Sequence, residues 1–228
     1  MASLIQLESA VLRLLRAVRT TGVLQLNNRS RERAFEAYVF SLCLEAVRRL
    51  NGTVEIRGIL SGPNPNPIVF RGAPGVIYSQ VQDFAYAFCT LNGKEFEIHV
   101  DVEFIGQSTA SHEIDVSIID HNSAERCRAR LEYPRMSQYL IGAIECKFYS
   151  GNPGVTLART FAGLVSDAST NRIEAFVFNR FSVEIAAFFS KVNSASCFEN
   201  LSPLNPTDEE MFVNYIMNEL RKWSRRKN

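Results

Sequence analysis

The chain has 228 residues, 46% of them hydrophobic and 21% charged, a composition typical of a soluble globular protein and unlike that of a disordered or fibrous chain. Its formal net charge of +1 excludes a strong overall basic field, so any surface for nucleic acid or membrane must be local. The five cysteines are dispersed and include no Cys-x-x-Cys pair, which excludes a disulfide framework and a zinc knuckle. No apolar run approaches about 18 residues, which excludes a membrane helix. Together with the lack of a signal-peptide core, these features predict a cytoplasmic location.

The first predicted element is an amphipathic helix over residues 3–19. Ser3 and Gln6 form a capping-box pattern at its start. Apolar residues follow at alternating spacings of three and four, as in a short coiled coil: Leu4, Leu7, Val11, Leu14 and Val18. This seam fits either a second subunit or the chain's own domain, and packing within the domain is the preferred interpretation. Gly22 and the polar residues 27–30 then interrupt the chain.

A second helix is predicted over residues 30–50, closed by Asn51 and Gly52. At 100° per residue, most of its charged side chains fall on one arc, opposite an apolar arc that includes Phe40 and Val47. Glu36 is the exception, because it falls in the middle of the apolar arc. A buried carboxylate needs a partner, so Glu36 either caps or pairs structurally or belongs to a functional site, which is the preferred interpretation.

The next segment contains one clear hairpin. Residues 53–60 are compatible with a strand and residues 61–75 with a proline-rich loop, whereas residues 76–91 fit either strand or helix. Asn92-Gly93 predicts a two-residue hairpin turn. A strand with one apolar face follows over residues 96–104, and its alternating polar residues predict a solvated opposite face: Glu97, His99, Asp101 and Glu103.

Two further strands carry charged residues that become candidates for a site. Residues 112–119 form a predicted strand that contains Asp115, and a polar connection over residues 122–138 leads to a buried strand over residues 141–148. Glu145 and Lys147 project from the same side of that strand, since side chains two residues apart share a face. Alone, this pair is equally compatible with a structural ion pair, a strand-end surface position or a functional site.

The remaining elements complete a mixed α/β chain. A helix over residues 155–169, a strand over 173–178 and a helix over 182–192 lead into a linker-like loop over 193–206. A capping box of Thr207 and Glu210 predicts the last helix, which ends in a basic cluster: Arg221, Lys222, Arg225, Arg226 and Lys227. We predict one domain over residues 1–228, with an N-terminal helix in 1–28, a catalytic core in 30–192 and a C-terminal loop and helix in 193–228.

The order of these charged residues along the chain resembles the sequence motif of the PD-(D/E)xK nuclease superfamily. Its pattern is matched by Glu36 on a helix, Ile114-Asp115 on a strand and Glu145-Cys146-Lys147 on the following strand. The resemblance covers about residues 30–180 and departs from the motif in having Ile114 where the proline stands. It implies a restriction-endonuclease-like core, with a central mixed β-sheet flanked by helices. It also implies that Glu36, Asp115, Glu145 and Lys147 are catalytic.

Such a site needs a hard cation and an activated water to cleave a phosphodiester. Asp115 and Glu145 would supply carboxylate oxygens to Mg²⁺, for which Mn²⁺ should substitute, and the main-chain carbonyl of Cys146 would add a third oxygen. Lys147 would orient water or stabilise charge, and Glu36 would hold a metal-bound water or a second ion. The expected activity is DNA endonuclease in a prokaryotic cytoplasm, in defence against foreign DNA, by a homodimer that an activator or partner protein could switch on.

Arginines near this motif are the predicted DNA-binding residues, because phosphate contacts supply most of the affinity. They are Arg126, Arg128, Arg130, Arg135 and Arg159. The polar residues Asp101, Glu113 and Asp120 are weaker alternatives for the site, and a histidine metal site at His112 or His121 lacks ligand spacing. The alternative function is a catalytically silent protein of the same fold that binds nucleic acid or acts as a scaffold.

Overall fold

The computed structural model describes residues 1–16, 24–26, 30–151, 153–168, 173–192 and 195–226, with 24–26 described by backbone alone. Over these ranges the helices are α1 (Leu4–Leu15), α2 (Arg31–Arg49), α3 (His121–Arg130), α4 (Met136–Tyr139), α5 (Val155–Ala168), α6 (Val183–Val192) and α7 (Pro206–Arg225). The strands are β1 (Leu24–Leu26), β2 (Thr53–Gly58), β3 (Gly62–Pro63), β4 (Ile68–Phe70), β5 (Ala85–Leu91), β6 (Lys94–Ile105), β7 (Ser111–Asp120), β8 (Leu140–Lys147), β9 (Ile173–Phe178) and β10 (Ser196–Phe198).

A mixed eight-stranded sheet forms the centre, in the order β10-β9-β8-β7-β6-β5-β2-β3. Strand β9 is parallel to β8 and β10, and every other neighbouring pair is antiparallel. Strands β1 and β4 form a separate parallel pair. At the β5–β6 turn, Asn92 and Gly93 have φ angles of 52° and 77°, as the Asn-Gly pair predicts. The mixed α/β class with a central mixed sheet is confirmed.

Helix α2 is buried almost all round because the sheet and the helices α1 and α7 surround it. Ser30 caps its N-terminus by accepting a hydrogen bond from the Arg33 amide at 3.3 Å. Phe35 and Phe40 are fully buried, and each such side chain contributes about 1.5–3 kcal/mol to folding. The helix is therefore a rigid support for any side chain that points from it into the protein.

Helix α1 packs on the chain's own core. The Ser3 hydroxyl accepts from the Gln6 amide at 3.2 Å and the Gln6 side chain accepts from the Ser3 amide at 2.8 Å, so the predicted capping box is confirmed. Leu7 and Val11 are fully buried in the cluster that includes α2. The preferred interpretation of the seam is thus confirmed for the described residues, whereas Val18, Gly22 and residues 27–29 lie outside them.

Predictions about three connections and one helix cap are wrong. The proline-rich loop of residues 61–75 contains strands β3 and β4. The polar connection of residues 122–138 is mostly helix α3, which Asp120 caps by accepting from the Ser123 amide at 2.9 Å. The loop of residues 193–206 includes strand β10. Helix α7 begins at Pro206, whose fixed φ suits the first helical position, so Thr207 lies inside the first turn and no side chain caps the helix. Lys227 of the basic cluster lies outside the described residues.

The predicted solvated face of β6 is also wrong, because it is buried. Glu97 is fully buried and its carboxylate is bound by His99 Nε2 at 2.7 Å, His121 Nδ1 at 2.6 Å and Arg128 Nη1 at 2.9 Å. Against the effect of burial, these hydrogen bonds hold the pKa of Glu97 well below its usual value. We call Glu97, His99, His121 and Arg128 the Glu97 network; it joins strand β6 to helix α3.

Candidate functional site

The sheet brings the two predicted catalytic strands side by side. Val116 of β7 pairs with Ile144 of β8, and this antiparallel register places Asp115 opposite Glu145. Asp115 is 6% exposed and accepts a hydrogen bond from the main-chain N–H of Cys146 at 2.7 Å. That contact ties the carboxylate of one strand to the backbone of the next.

Lys147 connects the two carboxylates. Its Nζ lies 3.1 Å from Asp115 Oδ2 and 2.6 Å from Glu145 Oε1. The ammonium therefore interacts with both acids, and its side chain keeps 25% of its surface exposed. The simple ion pair of Glu145 with Lys147 is present, but it belongs to a larger cluster.

Helix α2 adds Glu36 to this cluster. Glu36, Asp101 and Asp115 are all buried, and each offers a carboxylate oxygen within 4.8 Å of those of the other two. Arg33, one turn before Glu36, places its Nη1 2.9 Å from Glu36 Oε2 and 2.7 Å from Asp101 Oδ2. Glu36, Asp115, Glu145 and Lys147 thus meet in one place. Asp101, which the sequence offered only as a weaker alternative, and Arg33, which it did not single out, join them.

Asp101 enters the site through a bend in the β6–β7 hairpin. It has a φ of 51°, in the left-handed region that few non-glycine residues adopt. Val100 packs in the cluster under α2, whereas Val102 packs in a second cluster with Met136. Because the apolar side chains on either side of Asp101 enter different clusters, the bend removes Asp101 from solvent and places it opposite Asp115.

Burial and repulsion between neighbouring charges shift the pKa values of Glu36, Asp101 and Glu145 upwards, towards the protonated form. Burial, with the neighbouring charges of Asp101 and Asp115, raises the pKa of Glu36 to about 9. Burial raises the pKa of Asp101 to about 8, although Arg33 opposes the shift. Burial and the charge of Asp115 raise the pKa of Glu145 to about 7. Such clustered shifts are typical of functional sites.

Of the cluster, Glu36 and Lys147 line a cleft of about 420 Å³ between the N-terminus of α2 and the end of β8. It is lined by Arg31, Glu32, Glu36, Cys146, Lys147, Phe148, Tyr149 and Ser150. Arg31 is exposed on the rim, where a cation could contact an anionic ligand. The sequence assigned Arg31 to a polar arc and gave no signal for this position.

Four of the five predicted DNA-binding arginines are exposed, whereas the fifth is engaged in ion pairs within the protein. Arg126 and Arg130 are exposed on α3, Arg135 is exposed just before α4, and Arg159 is exposed on α5. Arg128 is 15% exposed and is bound to Glu97 and Glu125, so the Glu97 network already occupies its guanidinium. None of the five forms an ion pair or hydrogen bond with the four predicted catalytic residues among the described contacts.

Among the weaker alternatives, His112, His121 and Asp120 have structural partners. His112 Nε2 lies 2.6 Å from Asp167 Oδ2, so it joins the β6–β7 hairpin to α5, and His121 belongs to the Glu97 network. Glu113 is half-buried, and burial together with the charge of Asp115 raises its pKa. Asp120 is the N-cap of α3.

The shifted acids predict a specific pH dependence of stability. A carboxyl group whose pKa is higher in the folded state binds its proton more tightly there, so stability is full below the unfolded pKa near 4 and declines as pH rises through the folded pKa. Without divalent ions, the melting temperature should fall between about pH 5 and pH 9 because of Glu36, Asp101 and Glu145. Glu36→Gln should flatten this decline, as differential scanning fluorimetry will show; an unchanged slope would contradict the assignment.

A scan of protein-family models and searches of curated proteins and solved structures find no match to this chain. In the described part of the chain, no helix is both long and apolar enough to span a membrane.

Proposed function

We propose that this chain is a Mg²⁺-dependent endonuclease of the PD-(D/E)xK type that hydrolyses phosphodiester bonds of DNA. The observation that carries the proposal is the convergence of Glu36, Asp115, Glu145 and Lys147 beside one cleft. The four residues come from one helix and two strands, in the order that the family resemblance requires. A buried structural ion pair needs only Glu145 and Lys147 and leaves the other two acids unexplained.

The residues fit a hard divalent cation. The donors are carboxylate oxygens, which Mg²⁺ and Mn²⁺ prefer, and the strand register places Asp115 opposite Glu145. We assign Asp115, Glu145 and the main-chain carbonyl of Cys146 as ligands, with Glu36 acting through water or a second ion. A bound Mg²⁺ supplies a water of lowered pKa and charge stabilisation at the phosphate.

Lys147 has the clearest role among the protein's own groups. Although burial acts in the opposite direction, Asp115 and Glu145 hold the pKa of Lys147 well above its usual value, so the side chain stays an ammonium at neutral pH. It can donate to a water or to a phosphate oxygen, but it is not the base in this state. Protonation of Glu36 and Glu145 is favoured by burial, so binding of a cation should displace protons from the site.

The wider context follows from the family resemblance. We propose a prokaryotic cytoplasmic enzyme in defence against foreign DNA, working as a homodimer because cutting both strands calls for two sites. Arg126, Arg130, Arg135 and Arg159 remain the proposed contacts to DNA phosphates, and Arg31 at the cleft joins them.

The experiment that tests the activity compares nucleic-acid substrates of one sequence. Supercoiled plasmid, linear duplex, single-stranded DNA and RNA are incubated with the full chain and Mg²⁺, Mn²⁺ or EDTA. We expect cleavage of DNA with either ion and none with EDTA. Binding of DNA without cleavage in every condition would favour the catalytically silent alternative, and cleavage of RNA alone would overturn the assignment of the substrate.

A further inference from the structure

Asp101 is the buried group that the proposed function leaves unexplained. It is 0% exposed, and its two carboxylate oxygens differ in their surroundings. Oδ2 accepts from Arg33 Nη1 at 2.7 Å, whereas Oδ1 makes no hydrogen bond with the described residues. A buried oxygen without a donor is unfavourable, and more so when it is charged, so Oδ1 is an acceptor that a bound ligand would satisfy.

The surroundings of Asp101 indicate the charge of that ligand. Carboxylate oxygens of Glu36 and Asp115 lie within 4.8 Å of Asp101 and of each other, so three acids share a small volume. Arg33 is the cation bound to Glu36 and Asp101, and Lys147 is bound to Asp115. Arg71 and Glu113 also act electrostatically on Asp101. Counted in their ionised forms, five acids therefore meet three side-chain cations, which leaves this end of the site short of positive charge.

Arg33 is placed to exchange with another cation. Its backbone is fixed in the first turn of α2, but its side chain is 20% exposed and has several rotatable bonds. The guanidinium can therefore move towards solvent without unfolding the helix. The carboxylates cannot follow, because Asp101 is held in the hairpin bend and Glu36 by the buried helix.

We propose that Glu36, Asp101 and Asp115 form a divalent-cation site of their own, and that Arg33 occupies it until the ion displaces the guanidinium. The all-oxygen donor set selects a hard ion such as Mg²⁺ or Mn²⁺. Asp101 is thus a metal ligand that lies outside the residues of the nuclease motif. Binding here is distinct from the ion that the proposed function assigns to Asp115 and Glu145, and it does not depend on cleavage.

Counting bound Mn²⁺ by electron paramagnetic resonance tests the proposal on the full chain without DNA. We expect Asp101→Asn, which keeps the shape of the side chain, to lose one ion per chain. Glu145→Gln should lose the other ion and retain the one that depends on Asp101. Equal Mn²⁺ stoichiometry and affinity in wild type and Asp101→Asn would overturn the proposal. If Glu145→Gln binds as many Mn²⁺ ions as wild type while Asp101→Asn binds one fewer, the proposed nuclease site fails and the Asp101 site stands.

The role of Arg33 has its own variant and control. Arg33→Gln should bind Mn²⁺ roughly 10-fold to 100-fold more tightly, because a competing charge-assisted contact has been removed. Without divalent ions, the melting temperature of Arg33→Gln should fall below that of wild type, and Mn²⁺ should restore it. Mn²⁺ should not restore the melting temperature of the double variant that combines Arg33→Gln with Asp101→Asn. Arg57→Gln, which breaks the pair with Glu55 on β2, is the matched control. Unchanged or weaker Mn²⁺ binding in Arg33→Gln would refute displacement.

Discussion

Replacing Glu145 with Gln is expected to lower Mg²⁺-dependent DNA cleavage by roughly 10²-fold to 10³-fold or more. The amide keeps the size of the carboxyl group but cannot become an anion, so it weakens cation binding and releases Lys147 from one of its two partners. The fold should tolerate the change, because burial already raises the pKa of Glu145 to about 7 and its charge is costly. Initial cleavage rates and melting temperatures of the two chains measure both effects.

Glu55→Gln is the control for this comparison. Glu55 also lies on a strand of the central sheet and pairs with an arginine, Arg57, at 2.5 Å, but it is far more exposed than Glu145. Its replacement should leave the cleavage rate within about twofold, since exposed ion pairs contribute little. Equal rates in Glu145→Gln and wild type would remove Glu145 from the mechanism.

Glu97→Ala should have the largest effect on stability. Glu97 is fully buried and neutralises Arg128 while accepting from two histidines. Its loss leaves the Arg128 guanidinium without its main partner in the interior, and breaking a buried pair in this way costs about 3–5 kcal/mol. Urea unfolding followed by tryptophan fluorescence should report this decrease in the free energy of unfolding.

The effect of Glu97→Ala should depend on pH. Because the pKa of Glu97 is lowered in the folded protein, its contribution is full above the unfolded pKa near 4.3 and is lost as pH falls through the folded value. The two chains should therefore converge in stability in strong acid. Glu210→Ala, which removes an exposed partner of Arg49, is the control and should cost at most about 1 kcal/mol. A Glu97→Ala cost as small as this would show that Arg128 finds another partner.

Strand and helix periodicity singled out three residues of the candidate site, and the family resemblance added the fourth. Glu36 is conspicuous because a charge interrupts the apolar arc of a helix, and Glu145 and Lys147 because they interrupt an apolar strand. Asp115 shares its strand face with Glu113 and Ser117, and the family resemblance selects it because that motif places an acid on the strand before the Glu-x-Lys pair. These signals are local, and the sheet register then joins them without further information.

Periodicity could not rank Asp101 above the other polar residues of β6, and it gave no signal for Arg33. Alternation of polar and apolar residues on β6 is the same whether the polar face meets water or buried partners, and only the three-dimensional path of the hairpin and helix α3 decides between them. Helix α3 itself was missed because only Ser123, Ala124 and Cys127 face the core, too few for a clear period. Asp120 followed by Ser123, with Ala124 and Cys127 three residues apart, was the available signal.

The most direct test of the proposed cation-dependent nuclease site is a plasmid cleavage assay. Wild type and Asp115→Asn are each incubated with supercoiled plasmid in Mg²⁺ and in EDTA. Asp115 is the residue that contacts both Lys147 and the Cys146 backbone and lies beside Glu36. We predict relaxed and linear products from wild type with Mg²⁺ alone, and none from Asp115→Asn at equal concentration and with its fold intact. Cleavage that persists in EDTA or in folded Asp115→Asn would contradict a cation-dependent nuclease site at this cleft.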